Sequence, residues 1–159
     1  MKNLIEKNKK NLEKIFKKEG VILAYLFGSA AREKMGPLSD LDVAVLFSEK
    51  VKEKECFEKR LKLASKIDQV LKVYKTQVIC LNEAPPLLKH RAVFYGILIF
   101  VLDKKLKRDF EFRVLQEYED FKYHLETAYK IMKKQIKEGS FGKPLISPFS
   151  KYLQKYGVR

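Results

Sequence analysis

The sequence predicts an α/β fold: a small mixed β-sheet of about four strands, flanked by helices and followed by a long C-terminal helix and tail. Three observations predict it. Four apolar runs, at residues 21–27, 41–47, 77–81 and 97–102, have the length of buried strands. The segments between them carry apolar residues at three- and four-residue spacing, as amphipathic helices do. Glycine and proline stand at the junctions, where the chain has to turn.

Residues 3–18 read as a first helix, with Leu4, Ile5, Leu12, Ile15 and Phe16 near a 3.6-residue period and lysines opposite; Gly20 closes it. Val21–Phe27 is the first strand, broken by Gly28-Ser29, after which Ala30-Ala31-Arg32-Glu33 suits a short helix start. Gly36-Pro37 marks a turn, and Ser39-Asp40 leads into the second strand, Leu41–Phe47. A second helix over 54–71 places Phe57, Leu61, Ala64, Ile67 and Leu71 on one face. Residues 77–81 form the third strand, Pro85-Pro86 opens a short helix ending near Gly96, and 97–102 form the fourth strand.

From 104 to about 137 the pattern is helical again. Val114, Leu115, Tyr118, Phe121, Leu125, Ala128, Met132 and Ile136 make a stripe longer than a small sheet can cover, so part of it is available to an interface. Residues 1–138 are expected to form one domain. Residues 139–159 form a tail, too apolar for a disordered end, that docks on the chain itself or on a partner.

The 159 residues suit one domain with a real core, and 46% apolar with 34% charged residues reads as globular. The lysine-rich N-terminus has no apolar stretch of signal-peptide length, and no run approaches a membrane span, so a cytoplasmic protein with no membrane partner is expected. Cys56 and Cys80, far apart in sequence, fit two lone thiols in a reducing compartment. The formal charge of +14 suits a polyanionic partner (nucleotide phosphates, nucleic acid or an acidic protein) or simply lysine-solvated helix faces. No zinc finger, aromatic RNA-binding signature or recognition-helix pattern accompanies it, which leaves nucleic acid unlikely as the primary partner.

The chemistry concentrates in Gly28-Ser29, ten residues, then Asp40-Leu41-Asp42. Strand side chains two apart share a face, so Asp40 and Asp42 present adjacent carboxylates at the head of an apolar strand. Two like charges this close repel unless a cation sits between them, and hard oxygen ligands suit Mg²⁺. A glycine after a buried strand lets backbone approach a ligand, and Ser29 then stands at a helix start, where free N–H groups favour phosphate. An NTP with its Mg²⁺ fits between the two segments. The alternative is structural: Ser29 as a helix cap and Asp40 as a turn residue. Asp42, on an apolar strand, is harder to place that way.

Phe27-Gly28-Ser29-Ala30-Ala31-Arg32 followed by Ser39-Asp40-Leu41-Asp42-Val43 resembles the minimal nucleotidyltransferases of the DNA polymerase β-like superfamily. Leu81-Asn82-Glu83-Ala84-Pro85-Pro86-Leu87 and Tyr118-x-Asp120 are similar to later elements of that family, and the likeness spans about 20–122. The resemblance implies the nucleotidyltransferase fold and transfer of a nucleoside monophosphate from ATP or another NTP to a hydroxyl. It implies Asp40 and Asp42 as catalytic Mg²⁺ ligands, and Gly28, Ser29, Arg32 and Ser39 as nucleotide contacts; Arg32 can equally be a solvated surface arginine. It further implies a HEPN-domain toxin as partner, silenced by AMP placed on a tyrosine; the alternative is that the long helix and tail fold back on their own sheet or on a second copy, as a homodimer.

One position departs from the family. The usual third aspartate falls on Gln77, which carries no charge and cannot act as a base. Glu83 lies six residues on, about 20 Å along an extended strand, and Asp68 is a remote candidate on the preceding helix. Two functions therefore stand side by side: an active transferase, or a weakened nucleotide-binding scaffold or antitoxin that acts by contact. A nucleic-acid-binding protein is a third, resting on charge alone. His90 and His124 lack neighbours at metal-ligand spacing and are expected in solvent or capping roles.

Overall fold

A computed structural model of the chain describes residues 2–31, 40–73 and 75–142. The elements run α1 (Lys2–Lys7), α2 (Lys9–Lys18), β1 (Val21–Phe27), α3 (Gly28–Ala31), β2 (Leu41–Phe47), α4 (Glu53–Leu71), β3 (Thr76–Cys80), α5 (Pro86–Tyr95), β4 (Ile97–Val101) and α6 (Lys104–Lys137). The expected first helix is two. Asn8 interrupts it, its side-chain amide donating to the Leu4 carbonyl at 2.9 Å, the local bond by which asparagine competes with a helix.

The four strands form one mixed sheet in the order β3-β2-β1-β4. β1 is antiparallel to β2 and to β4, while β2 and β3 are parallel, joined through α4. The register pairs Phe27 with Asp42 and Asp42 with Gln77, so these three side chains stand in one row across three strands.

Each sheet face carries its own core. On one, Val21, Ala24, Leu26, Val43, Val45, Val78 and Cys80 meet Leu12 and Phe16 of α2 and Cys56, Leu63, Ile67 and Leu71 of α4. On the other, Leu23, Tyr25 and Ala44 meet Ala92 and Val93 of α5 and Phe110 and Val114 of α6. The expected face of α4 is corrected here. Ala64, Ile67 and Leu71 do pack inward, but Phe57 and Leu61 are 59% and 58% exposed, and Cys56 and Leu63 take their places. Both rows are apolar; only the sheet decides which is covered.

Glu19 joins α2 to α4. It is buried at the end of α2 and paired with Lys66, with Lys62 at 3.7 Å and the Lys59 ammonium donating to its carbonyl. Burial alone would raise its carboxyl pKa, but the Lys66 hydrogen bond and the three lysine charges hold it below the ordinary value. On the opposite face, Tyr25 donates to Glu111 at 3.0 Å and Lys89 pairs with Glu117 at 2.8 Å, which fastens the first half of α6 to the sheet and to α5.

The chain divides into two compact units after Phe121. In the second, which begins at Lys122, Leu125, Tyr129, Ile131 and Ile136 are exposed, and Lys133 lies over the Tyr129 ring at 4.7 Å. Of the apolar stripe expected on the long helix only Val114 is buried, joined by Phe110 one turn earlier. No described helix is long and apolar enough to cross a membrane.

Candidate active site

The site is built where β1 ends and β2 begins. Gly28 follows β1 with φ of +71°, a conformation that L side chains rarely adopt. A Cβ built there would lie 2.2 Å from Asp42 Oδ2 and 3.1 Å from its Cγ, so the Gly28 backbone rests directly against the carboxylate. The strand register causes this, since Asp42 is the partner of Phe27, one residue back. Ser29 follows, half-buried in the single turn of α3, with Ala30 anchoring that turn in the core.

Asp40 is exposed, immediately ahead of β2. The Leu41 N–H donates to the carbonyl of Lys75 at 3.2 Å, which holds this end of β2 beside the start of β3. Lys75 itself sits in the left-handed region at φ +73°. Burial raises the Asp42 carboxyl pKa, and the nearby Asp40 charge raises it further. Two carboxylates that disfavour each other's ionisation, backed by a glycine that leaves them room, fit a hard divalent cation such as Mg²⁺, which all-oxygen donors prefer.

Gln77 stands across the parallel ladder from Asp42, exposed on the same face. Neither alternative carboxylate reaches that row. Asp68 accepts the Thr76 N–H at 2.9 Å and so pins the start of β3, while Glu83 lies in the turn beyond β3, beside Cys56 and Cys80. Arg32 and Ser39 lie outside the described residues.

A cavity of about 630 Å³ opens next to Gly28. Phe27 and Gly28 form one wall; Leu87, Leu88, His90, Arg91 and Tyr95 of α5 and Tyr118 of α6 form the other. Its size suits a ligand of nucleotide dimensions. His90 is stacked on Tyr118, ring centroids 3.7 Å apart and 12° from parallel, with Phe94 at 4.7 Å and Tyr95 at 5.8 Å. Burial lowers its pKa against the opposing charge of Glu119, which favours the neutral ring. This corrects the sequence expectation of a solvent or capping histidine. Sequence reasoning missed His90, Arg91 and Tyr95 because α5 has no periodic apolar face to show which residues turn inward; Tyr118 carried a weak signal in Tyr118-x-Asp120. A second hollow of about 640 Å³, between Arg113 and Asp120, is lined by α6 alone and has no opposing wall.

The family model for "Polymerase beta, Nucleotidyltransferase" matches residues 10–105, more than half the chain, including Gly28, Asp40, Asp42 and the α5 wall of the cavity but not Tyr118. The chain belongs to this nucleotidyltransferase family. Solved structures agree on the fold of this nucleotidyltransferase. A chain of a toxin–antitoxin crystal structure with AMP-PNP superposes with a TM-score of 0.62 at 21% identity, covering 81% of this chain and 98% of that one. An MntA–HpeT toxin–antitoxin structure, in a mutant with two aspartates replaced by glutamate, gives 0.62 at 19% identity over 80% and 97%. A complex of a tri-AMPylated Shewanella oneidensis HEPN toxin with its MNT antitoxin gives 0.59 at 20% identity over 83% and 98%. No curated protein matches the chain significantly.

Proposed function

We propose that this nucleotidyltransferase moves AMP from Mg²⁺-bound ATP, or an NMP from a related NTP, onto a hydroxyl of a partner protein, and so acts in the cytoplasm as the antitoxin of a HEPN-domain toxin. The observation that carries the reading is the Gly28 backbone against the Asp42 carboxylate, at the side of a cavity of nucleotide size. The toxin–antitoxin complexes of the same fold support the choice of partner, and those with AMP-PNP and with an AMPylated toxin support the choice of group.

In this reading Asp40 and Asp42 hold the cation and the backbone of Gly28 and Ser29 receives phosphate oxygens. Arg32 and Ser39 complete the nucleotide contacts. Mg²⁺, when bound, neutralises phosphate charge and aligns the in-line displacement at the α-phosphorus. The cavity wall of His90, Arg91, Tyr95 and Tyr118 offers aromatic faces and one cation to the nucleotide. Domain 1–138 carries the chemistry and tail 139–159 docks on the partner or on a second copy.

Gln77 supports a second reading, because it leaves the Asp42 row without a base. The chain then binds nucleotide but neutralises the toxin chiefly by contact. Incubation of the chain with labelled ATP, Mg²⁺ and a HEPN protein from the same host separates the two. Covalent AMP on the toxin, absent with Asp42→Asn, is the expected result. A toxin silenced without any added mass overturns the transferase reading and leaves the second.

A further inference from the structure

The two cysteines that look unrelated in sequence meet in the fold. The Sγ atoms of Cys56, in the first turn of α4, and Cys80, the last residue of β3, are 3.4 Å apart, and both side chains are buried. Glu83, exposed in the turn after β3, places a carboxylate oxygen so that all three ligand atoms lie within 4.8 Å of one another. We propose that Cys56, Cys80 and Glu83 bind one thiophilic divalent cation, with zinc as the type, at a site separate from the aspartate pair.

The geometry supports a shared ion. A tetrahedral zinc with sulfur at about 2.3 Å and oxygen at about 2.0–2.2 Å keeps its ligand atoms ~3.6–3.8 Å apart. The sulfurs, 3.4 Å apart, lie just short of that range, and no ligand atom is more than 4.8 Å from another, which is within reach of side-chain rotation. The donor set is soft, two thiols and one carboxylate, whereas the Asp40–Asp42 pair is all oxygen; the two sites select different metals. They are also apart in space. Cys80 is three residues beyond Gln77, so it points to the opposite face of the sheet and lies ~10 Å along the strand. It packs with α2 and α4, while the Asp42 row shares its face with the α5 and α6 core.

The surroundings are organised for such a role. Asn82 accepts the Phe47 N–H at 2.9 Å and donates to the Phe47 carbonyl at 3.0 Å, which fixes the turn that presents Glu83. The N-terminus of α4 favours negative charge on Cys56. Burial, then Cys80 and Glu83, push the Cys56 thiol pKa up. Glu83 is exposed, so one edge of the cluster is open to solvent. A bound ion would tie α4 to the turn that leads into α5.

The bland alternative is a pair of buried thiols acting as small apolar groups, with Glu83 incidental. Cobalt titration of the full chain under a phosphine reductant tells them apart. One equivalent of Co²⁺ with thiolate-to-cobalt charge-transfer absorption is expected, retained in Asp42→Asn and lost in Cys80→Ser. Glu83→Gln, an exposed change that spares the fold, is expected to weaken binding by at least about tenfold. Absence of the charge-transfer bands in the wild type, or equal cobalt affinity in Glu83→Gln and wild type, overturns the proposal.

Discussion

Gly28→Ala tests the site with an internal control. The substitution does two things. It forces an L side chain into φ of +71°, which costs about 1–2 kcal/mol. It also puts a methyl 2.2 Å from Asp42 Oδ2, where ordinary contact begins near 3.4 Å, so the carboxylate has to retreat by about 1 Å. A misplacement of about 1 Å in a reacting assembly costs about 100-fold in rate. Gly20→Ala isolates the first effect: Gly20 has φ of +77°, and its added Cβ would meet only Val51 Cγ2 at 3.4 Å and Ser48 Oγ at 3.7 Å. Both variants are expected to lose about 1–2 kcal/mol in urea unfolding, a drop of roughly 2–8 °C in Tm for a chain of this size. Only Gly28→Ala is expected to lose about 100-fold in AMP transfer per folded molecule, along with Mg²⁺-dependent nucleotide affinity measured by calorimetry. Equal transfer by the two variants would show that Asp42 does not need its present position and that the Gly28–Asp42 contact is not part of the site.

Gln77→Asp restores a carboxylate opposite Asp42 and is expected to raise transfer by about 10²- to 10⁴-fold; a wild type equally fast shows that the base is elsewhere or unnecessary. Glu19 has a folded pKa held below its ordinary 4.5. Its pairing therefore contributes fully above about pH 4.5 and fades as pH falls below that value towards the lowered pKa. Glu19→Gln should accordingly flatten the loss of stability between pH 5 and 3, followed by urea midpoints, and an unchanged acid limb refutes the assignment. Lys66→Met leaves that carboxylate buried with only Lys62 and Lys59 near it and should cost about 1–3 kcal/mol in the same assay at pH 7. A chain ending at Gly139 should still bind ATP in calorimetry yet lose its partner in a pull-down; retention of the partner removes the docking role of the tail.

The sheet was legible because buried strands write themselves as apolar runs, and Asp40-x-Asp42 was legible because a period of two puts both carboxylates on one side. What the sequence hid depends on tertiary contact. Phe57 and Leu61 are as apolar as Leu63, and nothing local says which row of α4 meets the sheet. Asn8 breaks the first helix through a bond to Leu4 that ordinary periodicity ignores. The α5 wall of the cavity was invisible because its residues only acquire a common surface opposite Gly28. Cys56 and Cys80 are brought together by the parallel packing of β2 and β3 under α4, a contact between residues 24 apart.

The exposed apolar residues in the second half of α6 also bear on colloidal behaviour. Leu125, Tyr129, Ile131 and Ile136 are each at least half exposed on a chain of formal charge +14. In dilute buffer that charge keeps copies from meeting, since its repulsion reaches about 10 Å at 0.1 M salt but only about 3 Å at 1 M. Sulfate or phosphate salts go further, because they strengthen apolar association while removing the repulsion. The lysine charge thus opposes association of the isolated chain at low salt, and contact between copies through this exposed helix face is expected to grow as salt is added.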